Sequence, residues 1–575
     1  MIMSDKVLSR KRIQELISVG KAIVIYDGYV LNLSGWLKKH PGGDLAIYHM
    51  IGRDATDEMN AYHGKETLTQ FLKWRIGVIE TPLWENLLPP IQGGDYSDGI
   101  ETSVHHTLDT KMDSESDADL AFSSSTSSIS ILGDANSMKS TKYPELGAGY
   151  PDGPVTPRIP QNMILTKENI PKVLITDETR FEGKVVDPRL QLNSFDNELT
   201  RRDLEVLPSL DYDTQNYLRE EYHKLFSELE AAKLFDCNYW NYARELFKIC
   251  TLFLYSFCFL KTGHLFLSAS LIGMAWHQMT FIAHDAGHVS ITHNYQIDNT
   301  FGMVIASWFG GLCLGWWKRN HNVHHLITND PVHDPDIQHL PFFAVSVKLL
   351  QSIYSTYYKR TLSFDKAAEF LIPYQHYLYH PILCFGRFNL YRLSWEHLIF
   401  GKGPREGKAA WFRPFEIVGL SFFFYWFFYL VVYKSIEGGW SRFAYVMISH
   451  VATMLVHVQI TLSHFAMSTA DMGVSESFPS RQLRTTMDVD CPKWLDFLHG
   501  GLQFQAIHHL FPRMPRHNLR QAQPYVIEFC KRVGLNYYIY GFGRGNELVL
   551  NKLEEIGKQA SILIDATKKY NGDMY

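Results

Sequence analysis

Cysteine is scarce in this chain. Only seven cysteines occur among 575 residues, and none of them forms a CxxC pair. Such scattered thiols are typical of reduced cysteines and argue against a disulfide scaffold. The formal net charge of −5 is close to neutral for this length, so we expect no nucleic acid partner. The stretch up to Gly20 has no apolar run of signal-peptide length, and we expect the first part of the chain to remain in the cytosol.

Histidine, in contrast, is abundant, with 26 in the chain. Seven of them lie in three short clusters, the last of which also contains a glutamine: His284 and His288; His321, His324 and His325; Gln505, His508 and His509. Spacings of three and four residues place the members of a cluster on one face of a helix. Imidazole is a ligand for iron, zinc, copper and nickel. A lone histidine is more often structural, but this set exceeds a four-coordinate zinc site and favours two metal ions held close together.

Four internal segments are apolar enough to cross a membrane, and they form two hairpins. They cover residues 249–260, 265–283, 417–433 and 443–467. The second hairpin separates the second histidine cluster from the third, and its two crossings keep both clusters on one membrane face. A shorter apolar run, residues 301–315, is interrupted by glycines, and its length of about 15 residues predicts an interfacial or re-entrant element. We therefore expect about four transmembrane helices.

The composition changes between residues 90 and 190, where serine, proline and glycine are frequent and apolar residues are few. Such a segment cannot bury enough surface to offset its ordering entropy, so we predict a mostly disordered linker. Downstream of it, Leu218, Tyr222, Leu225 and Leu229 recur at helical spacing, which predicts an amphipathic helix packed against the following domain. We expect five segments: an N-terminal unit (1–85), the linker (86–195), a helical lead-in (196–245), a membrane domain (246–535) and a polar C-terminal tail (536–575).

The N-terminal unit contains two histidines that could ligate a haem iron from opposite sides. His40 opens a His-Pro-Gly-Gly motif, and His63 closes a segment that begins Asp-Ala-Thr. By spacing alone, His49 is a rival second ligand. Residues 8–85 resemble the cytochrome b5 haem-binding domain, a small α+β fold, which implies that His40 and His63 are the axial ligands of haem b. The resemblance implies a surface position for His49, and Met59, where that family usually has phenylalanine, predicts a slightly altered pocket.

The membrane domain, about residues 240–530, resembles the membrane fatty-acyl and sphingolipid desaturases through its HxxxH, HxxHH and QxxHH motifs. A Trp-Trp-Lys motif before the second cluster, an Asp-Pro-Asp motif after it, and Gln505 in place of a first histidine are similar to the cytochrome b5-fused front-end branch. The resemblance implies an all-α membrane domain that binds two non-haem iron ions, uses O2, and takes a further ligand from His464. The expected metal ligands are then His284, His288, His321, His324, His325, His464, Gln505, His508 and His509, with no catalytic residue beyond them.

Several other polar residues lie near the clusters in sequence. We interpret His277, His293 and His450 as structural. His499 is predicted to orient a ligand through a hydrogen bond. Asp285 either does the same or lies at the surface.

The resemblance implies that the chain removes two hydrogens from an alkyl chain. Electrons would pass from NADH through cytochrome b5 reductase to the fused haem domain, and the linker would raise the effective concentration of this donor. The serine-rich insertion and the Gln-Ala-Ile-His-His cluster are most similar to fungal desaturases that act at position 8 of the sphingoid base of ceramides. A front-end fatty-acyl desaturase, a b5-fused lipid hydroxylase and a non-enzymatic membrane metal or haem carrier remain alternatives. We expect a multi-pass protein of the endoplasmic reticulum with both sites facing the cytosol.

Overall fold

The computed structural model describes residues 6–81, 83–96, 102–103 and 187–572. Most of the predicted linker lies outside these residues. The described chain forms an α+β unit at its N-terminal end and a largely helical part from Pro188 onward. This arrangement confirms the predicted fold class, a small α+β domain followed by a helical membrane domain.

A four-stranded sheet forms the centre of the N-terminal unit. Its strands and the surrounding helices are β1 (Val7–Leu8), α1 (Arg10–Ser18), β2 (Ile23–Tyr26), β3 (Tyr29–Asn32), α2 (Asp44–Tyr48), α3 (Thr56–Tyr62), α4 (Lys65–Phe71) and β4 (Arg75–Ile79). The strand order is β1-β4-β3-β2, in which only the β1–β4 pair is parallel. Ser9 begins α1, because its side chain accepts a hydrogen bond from the backbone N–H of Arg12. The apolar side chains of β2 and β3 are buried between the sheet and the helices.

The chain continues to pack on this unit beyond β4. The indole Nε1 of Trp84 donates to the carbonyl of Gly52 at 2.9 Å, and Leu87 is fully buried in the same core. Two short antiparallel strands follow, β5 (Gly94–Asp95) and β6 (Thr102–Ser103). The folded unit therefore extends past the boundary expected at residue 85.

The second part of the chain consists mainly of helices. They are α5 (Pro188–Val206), α6 (Tyr212–Ala231), α7 (Tyr239–Lys261), α8 (Leu265–Gly287), α9 (Tyr295–Met303), α10 (Leu314–Leu326), α11 (Lys366–Leu371), α12 (Gln375–Leu383), α13 (Gly386–Phe400), α14 (Phe412–Phe424), α15 (Gly439–Val451), α16 (Met454–Phe465), α17 (Phe478–Thr485), α18 (Asp496–His499), α19 (Gln505–Leu510), α20 (Leu519–Val533) and α21 (Phe542–Gly572). The short strands β7 (Ile353–Ser355) and β8 (Arg360–Leu362) pair with each other, as do β9 (Asp488–Asp490) and β10 (Ile539–Gly541).

The predicted amphipathic face of the lead-in is buried as expected. Leu218, Tyr222, Leu225 and Leu229 on α6 are each at most 1% exposed. They pack against α17, α19 and α20, and the Tyr222 hydroxyl donates to the carbonyl of Leu510 at 2.8 Å. This helix therefore lies directly against the third histidine cluster.

Three helical segments are long and apolar enough to cross a membrane: Leu265–Gly287, Gly407–Lys434 and Gly439–Phe465. They contain the predicted spans 265–283 and 417–433 and all but the last two residues of the predicted span 443–467. The pair Tyr295–Phe309 and Leu314–Leu326 would add a fourth if it counted as one span, but it is bent by 117°. The apolar run predicted as interfacial or re-entrant falls at this bend.

The remaining predicted span, residues 249–260, forms the second half of α7. The apolar part of α7 is too short to cross a membrane alone. The first half of the helix cannot extend it, because that half carries the charged residues Arg244, Glu245 and Lys248. The helix nevertheless packs along α8 and exposes Phe247 and Leu254.

The segment predicted as a polar C-terminal tail packs on the rest of the molecule. Residues 542–572 form the single long helix α21, which covers the largest apolar core of the molecule. Its buried residues recur at intervals of three and four, so the helix has one narrow apolar face that average composition obscures. They are Val549, Leu553, Ile556, Ala560 and Leu563.

Candidate metal centre and haem site

The three histidine clusters and His464 converge on one place in the helical part. His284 lies in the last turn of α8 and His464 in the last turn of α16, each at the end of a candidate membrane span. The second cluster lies on α10 and the third on α19. Four helices that are distant in sequence therefore present imidazoles to a common centre near the ends of two spans.

The imidazoles form two groups. In the first group, the ligand atoms of His284, His288, His321 and His508 all lie within 4.8 Å of one another. In the second group, the same holds for His324, His464 and His509. His325 lies between the groups, because its Nε2 is 3.0 Å from Nε2 of His321 and its ring stacks on His509 with centroids 4.0 Å apart. Two adjacent groups are the arrangement expected for two metal ions.

Many of these imidazole nitrogens are buried without a hydrogen-bond partner. Among the described residues, the set comprises Nε2 of His284, His288, His508 and His509 and Nδ1 of His325 and His464. Unpaired buried lone pairs are costly, and a bound cation would satisfy them. Nitrogen donors suit iron, zinc and copper better than magnesium or calcium. The residues present therefore fit a pair of transition-metal ions.

Neighbouring polar groups hold two of these rings. Nδ1 of His324 is 2.8 Å from Oδ2 of Asp334, and Nδ1 of His509 is 2.9 Å from Oε1 of Gln482. An Nδ1–H that donates to each oxygen leaves Nε2 as the free ligand atom. Sequence reasoning missed both supports, although the Asp-Pro-Asp motif after the second cluster was a signal for Asp334. Gln482 had no such signal, because it comes from a helix far along the chain.

Asp334→Asn should weaken metal binding by about 10–100-fold. The amide keeps the shape of the carboxylate, but its NH2 group could donate to His324 Nδ1 and favour the tautomer that carries hydrogen on Nε2, which cannot ligate. The measurement is metal content per chain at graded iron concentrations. Asp330→Asn is the matched control, since the Asp330 carboxylate accepts backbone N–H bonds from Val332 and His333 in the same loop and has no contact with a clustered histidine among the described residues. Equal metal content in both variants would contradict the supporting role of Asp334.

Asp285 is buried, so its alternative assignment to the surface is wrong. Its Oδ2 accepts hydrogen bonds from Arg516 at 2.6 Å and from the Tyr242 hydroxyl at 2.5 Å. Its Oδ1 is 3.6 Å from Nδ1 of His284. That distance exceeds a hydrogen bond, so Asp285 provides a fixed negative charge beside this ring.

Gln505 points towards the first group. Its side chain is buried, and Oε1 has no hydrogen-bond partner in the described part of the chain. It lines a cavity of about 10 Å³ together with His284 and His508, which is room for about one water molecule. The amide oxygen is therefore available to a metal ion or to a water molecule bound at the first group.

The other conspicuous histidines lie outside both groups. His277 Nε2 is 2.9 Å from the carbonyl of Leu498, His293 Nε2 is 2.8 Å from that of Phe235, and His450 Nε2 is 3.1 Å from the Tyr391 hydroxyl. These contacts agree with a structural interpretation. His499 packs on Phe542, with ring centroids 5.8 Å apart, and the described structure gives it no hydrogen bond to a clustered histidine.

His40 and His63 face each other in the N-terminal unit, with ring centroids 6.2 Å apart. A metal–nitrogen bond is about 2.0 Å, so two opposed imidazoles that share one ion need centroids about 6 Å apart. The Nδ1 atoms lie 2.6 Å from the Gly43 carbonyl and 3.1 Å from the Met59 carbonyl, which leaves both Nε2 atoms free. Burial lowers the pKa of His40, and burial and the neighbouring His40 lower that of His63 to about 3. Neutral rings are the form that ligates, so the pair fits a haem iron.

The predicted surface position of His49 is wrong. The side chain is 1% exposed, its Nδ1 is 3.0 Å from Gln92 Nε2, and its ring packs edge-on against His333 with centroids 5.3 Å apart. His333 belongs to the helical part, which covers this side of the N-terminal unit. A contact of this kind cannot be read from the sequence of either part alone.

The comparisons with known proteins agree with both sites. Residues 9–80 match the cytochrome b5-like haem/steroid binding domain, and residues 262–541 match the fatty acid desaturase family. The first match contains the His40–His63 pair, and the second contains all three clusters and His464. Fold and site together define a membrane desaturase with a fused cytochrome b5-like domain.

Curated relatives match almost the whole chain. A delta 8-(E)-sphingolipid desaturase of Candida albicans is 63% identical, covering 99% of both chains. One of Lachancea kluyveri is 58% identical over 98% of this chain and 95% of its own length. An acyl-lipid (9-3)-desaturase of Borago officinalis is 36% identical over 59% of this chain and 75% of its own. The chain belongs to the same family of cytochrome b5-fused desaturases as these fungal proteins.

Proposed function

We propose that this chain introduces a double bond at position 8 of the sphingoid base of ceramides. The observation that supports the chemistry is the pair of adjacent, buried imidazole groups at the ends of two candidate membrane spans. The substrate rests on the relatives, whose names give the delta 8 position and the sphingolipid class. The proposed metal ligands are His284, His288, His321, His324, His325, His464, Gln505, His508 and His509, and the proposed haem ligands are His40 and His63.

The protein residues in this proposal bind, orient and exclude water. The first and second groups would each hold one iron ion, with His325 between them. Asp334 and Gln482 would keep hydrogen on Nδ1 of His324 and His509, so that both Nε2 atoms face the metal. Burial of these rings would keep bulk water away from the metal site. Iron bound there would supply the O2 activation that removal of two unactivated hydrogens requires.

The N-terminal domain would supply the electrons one at a time. His40 and His63 would together hold haem b, and haem ligated by both would supply one-electron transfer instead of oxygen binding. We infer that NADH is the ultimate donor, through a cytochrome b5 reductase. We also infer that the protein resides in the endoplasmic reticulum, with the haem and metal sites on the cytosolic face.

The decisive experiment is mass spectrometry of sphingoid bases and acyl chains from a host that lacks such an enzyme, with and without this chain. We expect a sphingoid base lighter by two hydrogens, with the new double bond at carbon 8. The His284→Ala variant, expressed at the same level, is the negative control because it removes one member of the first group. A product heavier by one oxygen would identify a hydroxylase, and a change confined to acyl chains would contradict the proposed substrate.

A further inference from the structure

Charged residues join the two domains beside the haem site. On the N-terminal domain, Asp57 follows the start of α3 and its side chain is 3% exposed. On α6, Arg219 donates from Nε to Asp57 at 2.9 Å and from Nη2 to Asp54 at 2.7 Å, and His223 Nε2 lies 2.6 Å from the second oxygen of Asp57. We call Asp54, Asp57, Arg219 and His223 the latch. Both of its acidic groups belong to the haem domain, and both basic groups belong to α6, which packs on the desaturase domain.

The latch is held as ion pairs. Burial alone would raise the pKa of Asp57, but Arg219 and His223 outweigh it and the pKa is lowered. The hydrogen bond to Asp57 raises the pKa of His223 against the effect of burial. Charge pairs that are largely buried are costly to break from one side, because the remaining partner is left desolvated and unpaired. The latch therefore favours one relative position of the two domains.

A second contact brings the haem loop against the helix of the second cluster. Arg319 on α10 donates to Asp44 at 2.7 Å, and Asn322 donates to the carbonyl of Gly42 at 3.2 Å. A Cβ atom on Gly42 would lie 2.8 Å from Asn322 Nδ2, so a larger residue there would displace the Asn322 side chain from this contact. The His40 side of the haem site thus packs directly on α10.

The His63 side reaches the metal-ligand set through one residue. Tyr62 precedes His63 in the chain, and its ring lies edge-on to His325, with centroids 6.0 Å apart. Its hydroxyl is buried without a hydrogen-bond partner among the described residues, so packing alone explains its position. The route from a haem ligand to a metal ligand consists of one peptide link and one ring contact.

We propose that the latch holds the haem domain in the position for electron transfer, and that Tyr62 is the contact between the haem ligand His63 and the metal ligand His325. Each transfer moves one electron, so the haem is oxidised by one electron, the metal centre is reduced by one, and no atom is exchanged. The role of Tyr62 rests on the proposed function, whereas the docked position does not. The latch residues act by positioning and do not touch substrate.

The docked position can be measured through a second interdomain pair. Nζ of Lys65 lies 3.1 Å from Oε2 of Glu230, and both side chains are accessible, so a zero-length carbodiimide should join them within one full-length molecule. Lys558 and Glu554, 2.6 Å apart within α21, provide an internal reference peptide. In the haem-loaded protein we expect a Lys65–Glu230 cross-link whose yield does not depend on protein concentration.

Reversing the charge of Arg219 should open the latch. In Arg219→Glu we expect the cross-link yield, relative to the reference peptide, to fall by at least about tenfold. Lys224→Glu is the matched control, since it makes the same change on the same helix at a residue that pairs only with Glu221 of α6. If Arg219→Glu loses haem absorbance, two other measurements replace it: the Arg219→Lys variant and a salt titration of the unaltered protein. Salt screens charge pairs, so about 0.5 M salt should also lower the cross-link yield. An unchanged yield in these measurements would overturn the latch.

Variants of Tyr62 distinguish its role as an electron-transfer contact from the docking of the two domains. Single-turnover reoxidation of reduced haem, followed by absorbance after mixing with O2 and substrate, reports electron transfer directly. In Tyr62→Ala we expect reoxidation to slow by about tenfold or more, while the cross-link yield stays normal; Tyr62→Phe, which keeps the ring, should behave like the unaltered protein. Normal reoxidation in Tyr62→Ala would overturn the contact role. A docked protein whose haem is not reoxidised in any form would instead contradict the proposed function.

Discussion

His508→Ala should abolish double-bond formation, with a loss of at least about a hundredfold, since removing even a supporting partner of a metal ligand costs 10–100-fold. His508 belongs to the first group, and its ring centroid is 4.6 Å from those of both His284 and His288. We expect no other imidazole to take its place, because His284, His288 and His321 already belong to the same group. His325, which also lies near His508, contacts His321 and His509 as well. The measurement pairs the amount of unsaturated product with iron content per chain, and we expect both to fall.

The matched control for this variant is His264→Ala. His264 precedes α8, whose opposite end carries His284, and its side chain is exposed. Its side chain contacts the Thr262 hydroxyl at 3.0 Å and lies edge-on to Phe259, with ring centroids 5.9 Å apart. Both partners lie at the same end of the hairpin, far along α8 from His284, so the replacement should leave product and iron content unchanged. Full activity in His508→Ala would refute the first group as a metal site, whereas loss of activity with full iron content would assign His508 to another task.

The part of the site that follows from local spacing was predictable. His321, His324 and His325 share one face of a helix whatever that helix packs against, and the same holds for His508 and His509. How these helices pack against each other depends on residues that are far apart in the sequence. His464 was expected only through family resemblance, and Gln482 was not expected at all, because its hydrogen bond to His509 depends on how α17 packs on α19.

The other differences between expectation and structure have two origins. The face of α21 that carries Leu553 and Ile556 is apolar, but the polar residues around it dominate the composition, which is why composition indicates a polar tail. His49 is covered by His333 from the other domain, and Arg219 meets Asp57 in the same way. Contacts between the two domains leave no periodic signal in the sequence of either one. Prediction from sequence is therefore weaker at the domain interface than within the helices.

His40→Ala should remove bound haem and reduce activity severely. One of the two opposed imidazoles is lost, and the remaining His63 cannot hold the iron on both sides. Haem absorbance per chain is the first measurement and product formation with the protein's own domain as sole donor is the second. His49→Gln is the discriminating control, because His49 was the rival ligand by spacing but contacts Gln92 and His333. We expect His49→Gln to keep its haem.

Added soluble cytochrome b5 should restore little activity to His40→Ala. A tethered domain acts at an effective concentration of about a millimolar, so a free donor at about a micromolar is roughly a thousandfold more dilute at the site. The haem-free domain also still occupies the docking surface, since Asp57 and Asp44 that hold it there are unchanged. Adding Arg219→Glu to His40→Ala should release that surface and allow more rescue than His40→Ala alone. Full rescue of His40→Ala by free cytochrome b5 would mean that the fused domain is dispensable. It would also mean that covalent fusion does not limit the rate of electron delivery.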